Sequence, residues 1–211
     1  MSEIVLMNVS GRSKNGLTSS LLNILAAHGV TVLDIGQATI HDALVLSVVM
    51  QLSHRDKTAP VLKDLLFEAH YQGLQVHFTP LSQAQHGRWL GDEQHPRHII
   101  TLLGRSVTAE QLARITHVIT ENALRIEEIT RLSAHGSLHA TQTTAGRACI
   151  ELALRGQPLD PDGMKAAFVA ISEELRVDIS FQEDNFYRRN RRLVVFDMDS
   201  TLIQQEVIDE L

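Results

Sequence analysis

Two short apolar segments that end in the same three residues decide the fold of this chain. Residues 4–13 read IVLMNVSGRS, and residues 98–106 read HIITLLGRS. An apolar run followed by a glycine-containing turn predicts a β-strand that ends at the turn. Because the second segment repeats the first, the chain is expected to contain two copies of one structural unit.

The residues after the first segment predict the element order βαββαβ. A helix is expected over about Thr18–His28, with Thr18 as its cap and Gly29 at its end. The remaining elements are two strands over about 30–40 and 43–52, a helix over about 58–71 and a strand over about 74–79.

The same order follows the second segment. Thr108 begins a helix, and Gln111 three residues later fits a capping box. Asp160 and Pro161 open a second helix with a capping residue and a proline at the first helical position. Strands are expected over about 98–103, 124–132, 147–154 and 177–181.

The predicted fold class is therefore α+β, with two tandem ferredoxin-like βαββαβ units. The first unit spans 1–81 and the second spans 98–183, with a polar linker over 82–97 between them. A basic linker over 184–192, which contains four arginines, leads to a final segment over 193–211.

Composition excludes several classes of protein. The chain has 211 residues, of which 44% are hydrophobic and 21% are charged, as in ordinary globular proteins. A net charge of -6 argues against general nucleic-acid binding, and 4% aromatic residues argue against an RNA-recognition module that stacks bases. One cysteine and the lack of a long apolar run favour a cytoplasmic protein without a membrane span.

The final segment contains two closely spaced aspartates after an apolar run. Residues 193–202 read LVVFDMDSTL, an apolar strand followed by Asp197 and Asp199. Alternate residues of a strand point the same way, so the two carboxylates could face one site and would call for a cation such as Mg²⁺. One carboxylate could then attack phosphorus while the other serves as general acid and base. The spacing alone equally allows both aspartates to cap a turn or helix.

The longer pattern resembles the first motif of the haloacid-dehalogenase-like phosphatases, hhhhDxDxT. The continuation through Ser200 and Thr201, followed by EVIDEL over 206–211, resembles the phosphoserine phosphatases in particular. The two ferredoxin-like units resemble the ACT-type regulatory region that some members carry. This resemblance implies Mg²⁺-dependent hydrolysis of O-phosphoserine, the last step of serine biosynthesis.

The same resemblance implies the roles of three residues. Asp197 would be the nucleophile and a Mg²⁺ ligand. Asp199 would protonate the departing serine oxygen and then activate water, while its backbone carbonyl also holds the metal. Glu206 would meet the ammonium group of phosphoserine, although from the residues alone it equally fits an exposed glutamate near a helix start.

The family also needs a Ser or Thr that binds phosphate, a Lys and a later acidic pair, all after the first motif. None of these motifs follows Asp199 within the 211 residues. We therefore expect the chain to be the amino-terminal part, or a truncated form, of a longer phosphatase, and to be inactive alone.

A second candidate site is the turn over 11–18, where a strand meets the start of a helix. Backbone N–H groups at a helix start favour a carboxylate, and the resemblance to ACT domains makes Gly11, Asn15 and Gly16 candidates for binding an amino-acid effector such as serine. The alternative is an ordinary connection. Unpaired sheet edges favour a homodimer, and the competing function is a non-catalytic amino-acid-binding or dimerisation module.

Overall fold

The computed structural model describes residues 3–52, 55–92, 94–134, 147–185 and 188, with side chains omitted at 55–57. The chain divides into two compact units, Met1–Leu90 and Gly91–Leu211. Each of these units is described below by itself, as the first unit and the second unit.

The first unit has the predicted order βαββαβ. Its elements are β1 (Glu3–Arg12), α1 (Leu17–Ala27), β2 (Thr31–Ile40), β3 (Ala43–Leu52), α2 (Arg55–Gln72) and β4 (Gln75–Leu81). The helix α2 begins three residues earlier than the sequence predicts. The bounds of β3 match the prediction, and the remaining boundaries of the first unit differ from it by at most three residues.

The four strands form an antiparallel sheet in the order β2-β3-β1-β4. Buried residues alternate along the two central strands, so these strands bury the side chains of one face of the sheet. That face and both helices form the core, which includes Val5, Met7, Val9, Leu46, Val48, Met50, Leu21, Leu25 and Leu65.

The second unit repeats this order. Its elements are β5 (Arg97–Gly104), α4 (Ala109–Glu121), β6 (Arg125–Arg131), β7 (Ala148–Arg155), α5 (Pro161–Leu175) and β8 (Asp178–Glu183), with the sheet order β6-β7-β5-β8. A separate core surrounds Ile100, Leu102, Ile115, Leu152 and Phe168. The predicted α+β class with two ferredoxin-like units is thus confirmed.

A further helix, α3 (Gln83–Asp92), lies in the segment that the sequence suggests is only a polar linker. Its start is capped by Ser82, whose hydroxyl accepts a hydrogen bond from the Gln85 backbone N–H at 3.2 Å. The Gln85 side chain in turn accepts from the Ser82 backbone N–H at 2.8 Å. This Ser-x-x-Gln capping box is readable in the sequence, but two glycines within the segment weaken its helical signal.

No helix in the parts of the chain that the structure describes is long and apolar enough to cross a membrane.

Candidate functional site

The candidate turn begins where β1 passes very close to the end of α2. A Cβ atom built on Gly11 would lie 2.7 Å from Cδ2 and 3.4 Å from Cα of Leu74. Real Cβ atoms do not approach other heavy atoms at 2.7 Å, so the position requires glycine or a shift of Leu74. The predicted candidate Gly11 therefore has a structural reason to be glycine that does not depend on a ligand.

Two hydrogen bonds fix the path of the turn after Gly11. The Ser13 backbone N–H donates to the Asp42 carbonyl at 2.6 Å, and Lys14 Nζ donates to the Gln72 carbonyl at 2.8 Å. The first bond ties the turn to the β2–β3 connection, and the second ties it to the end of α2. The turn is thus held from both sides.

The start of α1 carries no side-chain cap. Gly16 is the N-cap, in the left-handed conformation with φ 84°, and no side chain accepts from the first helical N–H groups. The prediction that Thr18 caps this helix is wrong, because α1 begins one residue earlier and Thr18 lies inside its first turn. The Thr18 hydroxyl instead donates to Oε1 of Gln37 at 2.6 Å. The α1 start therefore keeps N–H groups that an anion could accept from.

The equivalent turn of the second unit differs in this respect. Thr108 Oγ1 accepts from the Gln111 backbone N–H at 3.2 Å, and Gln111 Oε1 accepts from the Thr108 N–H at 2.9 Å. This predicted capping box is confirmed. Backbone N–H groups at the start of α4 therefore already donate to side chains of the same segment. Comparison of the two turns favours the first unit as the effector site, because only its helix start lacks a side-chain cap.

A shallow cavity of about 530 Å³ lies beside the turn. Its lining includes Gly11 but neither Asn15 nor Gly16, so the structure does not gather all three predicted residues around it. At its rim, Arg12 Nε lies 3.2 Å from a carboxylate oxygen of Asp42, both side chains being exposed. The full lining is Ser10, Gly11, Arg12, Asp42, Ala43, Leu44 and Val45.

The second unit contains a charged cluster that the sequence analysis did not identify. Glu127 accepts hydrogen bonds from Arg155 Nε at 2.6 Å and from Arg125 at 3.1 Å. Burial acts to raise the pKa of the Glu127 carboxyl, but the hydrogen bonds and charges of the two arginines outweigh it and lower the pKa. The hydrogen bond to Glu127 also raises the pKa of Arg125. These groups lie on the neighbouring strands β6 and β7, with Glu127 at the β6 bulge, so no sequence spacing signals the meeting of Arg155 with the other two.

The predicted catalytic residues Asp197, Asp199 and Glu206 lie outside the described residues. Within the described ranges, no group of three or more His, Cys, Asp or Glu side chains could hold a metal ion. The roles of the three residues thus stay predictions, as does the assignment of Mg²⁺ to this motif.

Comparison with protein families finds a match over the first unit. Residues 3–79 match the sequence model of the ACT domain.

The whole chain is also similar to named enzymes. It is 31% identical over 205 residues to a phosphoserine phosphatase of Streptomyces coelicolor, covering 97% of this chain and 46% of that protein. It is 30% identical over 209 residues to phosphoserine phosphatase SerB2 of Mycobacterium tuberculosis, covering 98% of this chain and 47% of that protein. The predicted resemblance to phosphoserine phosphatases with ACT domains is confirmed, and the chain spans about half the length of these relatives.

Among solved structures, an unknown protein from Galdieria sulphuraria is similar with a TM-score of 0.69 and 14% identity. The similarity covers 88% of this chain and all of that one. At this identity the likeness supports the fold and carries no argument about function.

Proposed function

We propose that the chain is the ACT-containing amino-terminal regulatory part of a phosphoserine phosphatase, followed over 193–211 by the start of its catalytic domain. The observation that carries this proposal is the 30–31% identity to two phosphoserine phosphatases over nearly the whole chain. The reaction is the hydrolysis of O-phosphoserine to serine and phosphate in the cytoplasm.

The D-x-D motif supplies the reacting groups of the proposed mechanism. An oxygen of Asp197 attacks phosphorus, and the serine oxygen leaves with a proton from Asp199, which gives an aspartyl-phosphate. Asp199 then takes a proton from the attacking water, so that phosphate and the free Asp197 carboxylate are released. Glu206 pairs with the substrate ammonium group.

The donor set of this motif suits the proposed metal. The Asp197 carboxylate and the Asp199 backbone carbonyl are oxygen ligands of the kind that Mg²⁺ prefers. When bound, Mg²⁺ would neutralise negative charge on the phosphoryl oxygens and the two carboxylates.

The β1–α1 turn is the proposed effector site, with serine as the ligand. The uncapped start of α1 can accept the ligand carboxylate, since its N–H groups have no side-chain partner. The neighbouring cavity of about 530 Å³ has room for a small amino acid. End-product binding at this turn would make the chain a serine sensor.

Thermal unfolding of the 211-residue chain with L-serine tests the effector proposal. Because a ligand that binds only the native state stabilises it, serine at about ten times its Kd should raise Tm by about 3–6 °C. Gly16→Asp should remove most of this shift. Aspartate tolerates the left-handed conformation of Gly16, and its carboxylate would occupy the helix start.

The matched control is Ser106→Asp in the corresponding turn of the second unit, which should leave the shift intact. D-serine should shift Tm less than L-serine does. An unchanged Tm with millimolar L-serine would contradict the effector proposal, and a full shift in Gly16→Asp would contradict the location of the site.

A non-catalytic amino-acid-binding or dimerisation module is the second candidate function, and the match of residues 3–79 to the ACT domain favours it. The two functions differ in whether a polypeptide that includes the rest of a catalytic domain hydrolyses phosphoserine. A serine-induced shift without any such hydrolysis would favour the second candidate.

We also propose a homodimer that forms through the free edge of β2. This strand lies at the edge of the first sheet and is ten residues long. Three apolar side chains along it are exposed, namely Val32, Ile35 and Ile40. A long apolar edge favours pairing with another strand.

A further inference from the structure

The helix-free face of the second sheet holds a carboxylate at its centre. The helices pack on the face that carries Leu152 and Leu154. Because side chains alternate along a strand, Glu151 of β7 points to the opposite face. Its backbone lies between Thr101 of β5 and Thr130 of β6 in the sheet register.

An arginine from the segment after β8 reaches this carboxylate. Arg188 Nη2 donates to Oε2 of Glu151 at 2.7 Å, and both side chains are mostly shielded from solvent. Arg188 Nη1 also lies 3.7 Å from Oδ1 of Asp184, whose side chain is only 5% exposed. A buried carboxylate is costly unless cations surround it, so the position of Arg188 is favoured by two anionic partners.

The backbone N–H of Arg188 is also hydrogen-bonded. The Arg188 N–H donates to the Asn185 carbonyl at 3.1 Å and lies 3.3 Å from Asn185 Oδ1. Just before it, the Asp184 N–H donates to the Arg97 carbonyl at 2.8 Å, which extends the β8–β5 ladder. Arg188 is therefore tied by its backbone to Asn185, which lies directly after β8.

The Arg188 contacts belong to a longer series of alternating charges. Arg97 Nε lies 3.8 Å from oxygens of both Asp184 and Glu127. Glu127 binds Arg125, and Arg125 in turn binds Asp92 at 2.8 Å. The series thus connects the segment that enters the second unit with the segment that leaves it.

We propose that Arg188 is a positioning residue that holds the exit of the chain on the helix-free face of the second sheet. Its pairing with Glu151 sets the starting point of the short connection to Asp197, which is only nine residues further along. The importance of this connection for catalysis rests on the proposed function of residues 193–211. The pairing itself can be tested without any phosphatase activity.

Trypsin cleavage after residue 188 is the measurement. A protease must draw the arginine side chain into its own pocket, so the Glu151 pairing protects this bond. Glu151→Gln should raise the initial rate of cleavage after Arg188 about fivefold. This is the ratio expected when the lost ion pair has the largest stabilising effect found for partly exposed pairs. The fragment ending at residue 188 is quantified by mass spectrometry. Each rate is divided by that of a peptide of residues 184–192 carrying the same residue 188.

Glu128→Gln is the matched control, because Glu128 lies on the same face of the sheet and accepts its hydrogen bond from Thr130. Its cleavage rate should equal that of the unmodified chain. Glu151→Asp, which keeps the charge on a shorter side chain, should restore part of the protection.

Arg188→Lys provides a second variant that leaves the sheet untouched, should Glu151→Gln fail to fold. Lysine is still cut by trypsin but lacks the forked guanidinium, so its normalised rate should also rise. The proposal would be overturned if both folded variants, Glu151→Gln and Arg188→Lys, were cleaved at the same normalised rate as the unmodified chain. An equal rise in Glu128→Gln would overturn it too.

Discussion

Gly11 shows how a single residue couples the candidate turn to the core. The absence of a side chain there allows β1 to pass against Leu74, which is itself buried. Gly11→Ala would insert a methyl group 2.7 Å from Leu74 Cδ2, so Leu74 must move within a packed core. We expect a loss of about 1–2 kcal/mol in the free energy of unfolding, measured by urea denaturation.

Gly87→Ala is the control for this substitution. Gly87 lies within α3, and a Cβ there would meet no atom within 4 Å. Because alanine is the better helix former, Gly87→Ala should stabilise the chain by up to about 1 kcal/mol. A Gly11→Ala chain as stable as the unmodified one would show that Leu74 relaxes freely, and the close approach would then have no structural importance.

The residues that the sequence analysis placed correctly are those whose role depends on near neighbours. Thr108 with Gln111, and Asp160 before Pro161, act within one helical turn, and the structure confirms both caps. Thr18 was wrongly predicted to be the cap of α1. The N-cap is Gly16, and the helix begins after it without a side-chain oxygen as acceptor. Contacts such as the one between Arg188 and Glu151 join residues 37 positions apart, so no local sequence pattern predicts them.

At the scale of elements, the two edge strands β2 and β6 differ in a way that bears on assembly. Ile35 in the middle of β2 is 47% exposed, and the strand carries only one charged residue, Asp34. The shorter β6 carries two arginines and two glutamates. Charged edge strands resist pairing with other chains, whereas long apolar ones favour it.

Ile35→Lys should therefore dissociate the proposed dimer. A lysine at an edge position makes a second strand desolvate its charge, so pairing through β2 becomes unfavourable. Light scattering behind size-exclusion chromatography should show a change from the dimer mass to the single-chain mass of 23.5 kDa.

Ile129→Lys in β6 is the matched control, since Ile129 is 53% exposed on the charged edge. This variant should remain dimeric. A dimer that survives Ile35→Lys, or one lost equally in Ile129→Lys, would exclude the β2 edge as the interface.

Element order was the most predictable feature of this fold, for a physical reason. Short apolar runs in the central strands and the periodic apolar stripes of the helices report burial directly, and each unit repeats the pattern. The helix α3 was missed because none of its residues is buried, so it lacks the periodic apolar signal. The β6 bulge, where the register shifts between Ile126 and Glu128, likewise has no apolar signature.

At the scale of the whole molecule, the proposed catalytic residues lie in a different part of the sequence from the two described units. The described residues provide two ferredoxin-like units, whereas the D-x-D motif lies outside them. The family resemblance calls for a lysine after the first motif, and no lysine follows Asp199 in the 211 residues. Positioning and charge stabilisation supply most of the catalysis in phosphoryl transfer, so an isolated nucleophile is insufficient.

We therefore expect the 211-residue chain to release no phosphate from O-phosphoserine above the level of its Asp197→Asn variant, with Mg²⁺ present. Phosphate release by the purified chain is the measurement, and a serine-induced rise in Tm on the same sample would establish that the first unit is folded. Mg²⁺-dependent release by the unmodified chain that Asp197→Asn abolishes would contradict this expectation. In that case the groups that complete the active site must come from within residues 1–211 or from a second copy of the chain, and the nucleophile assigned to Asp197 would gain direct support.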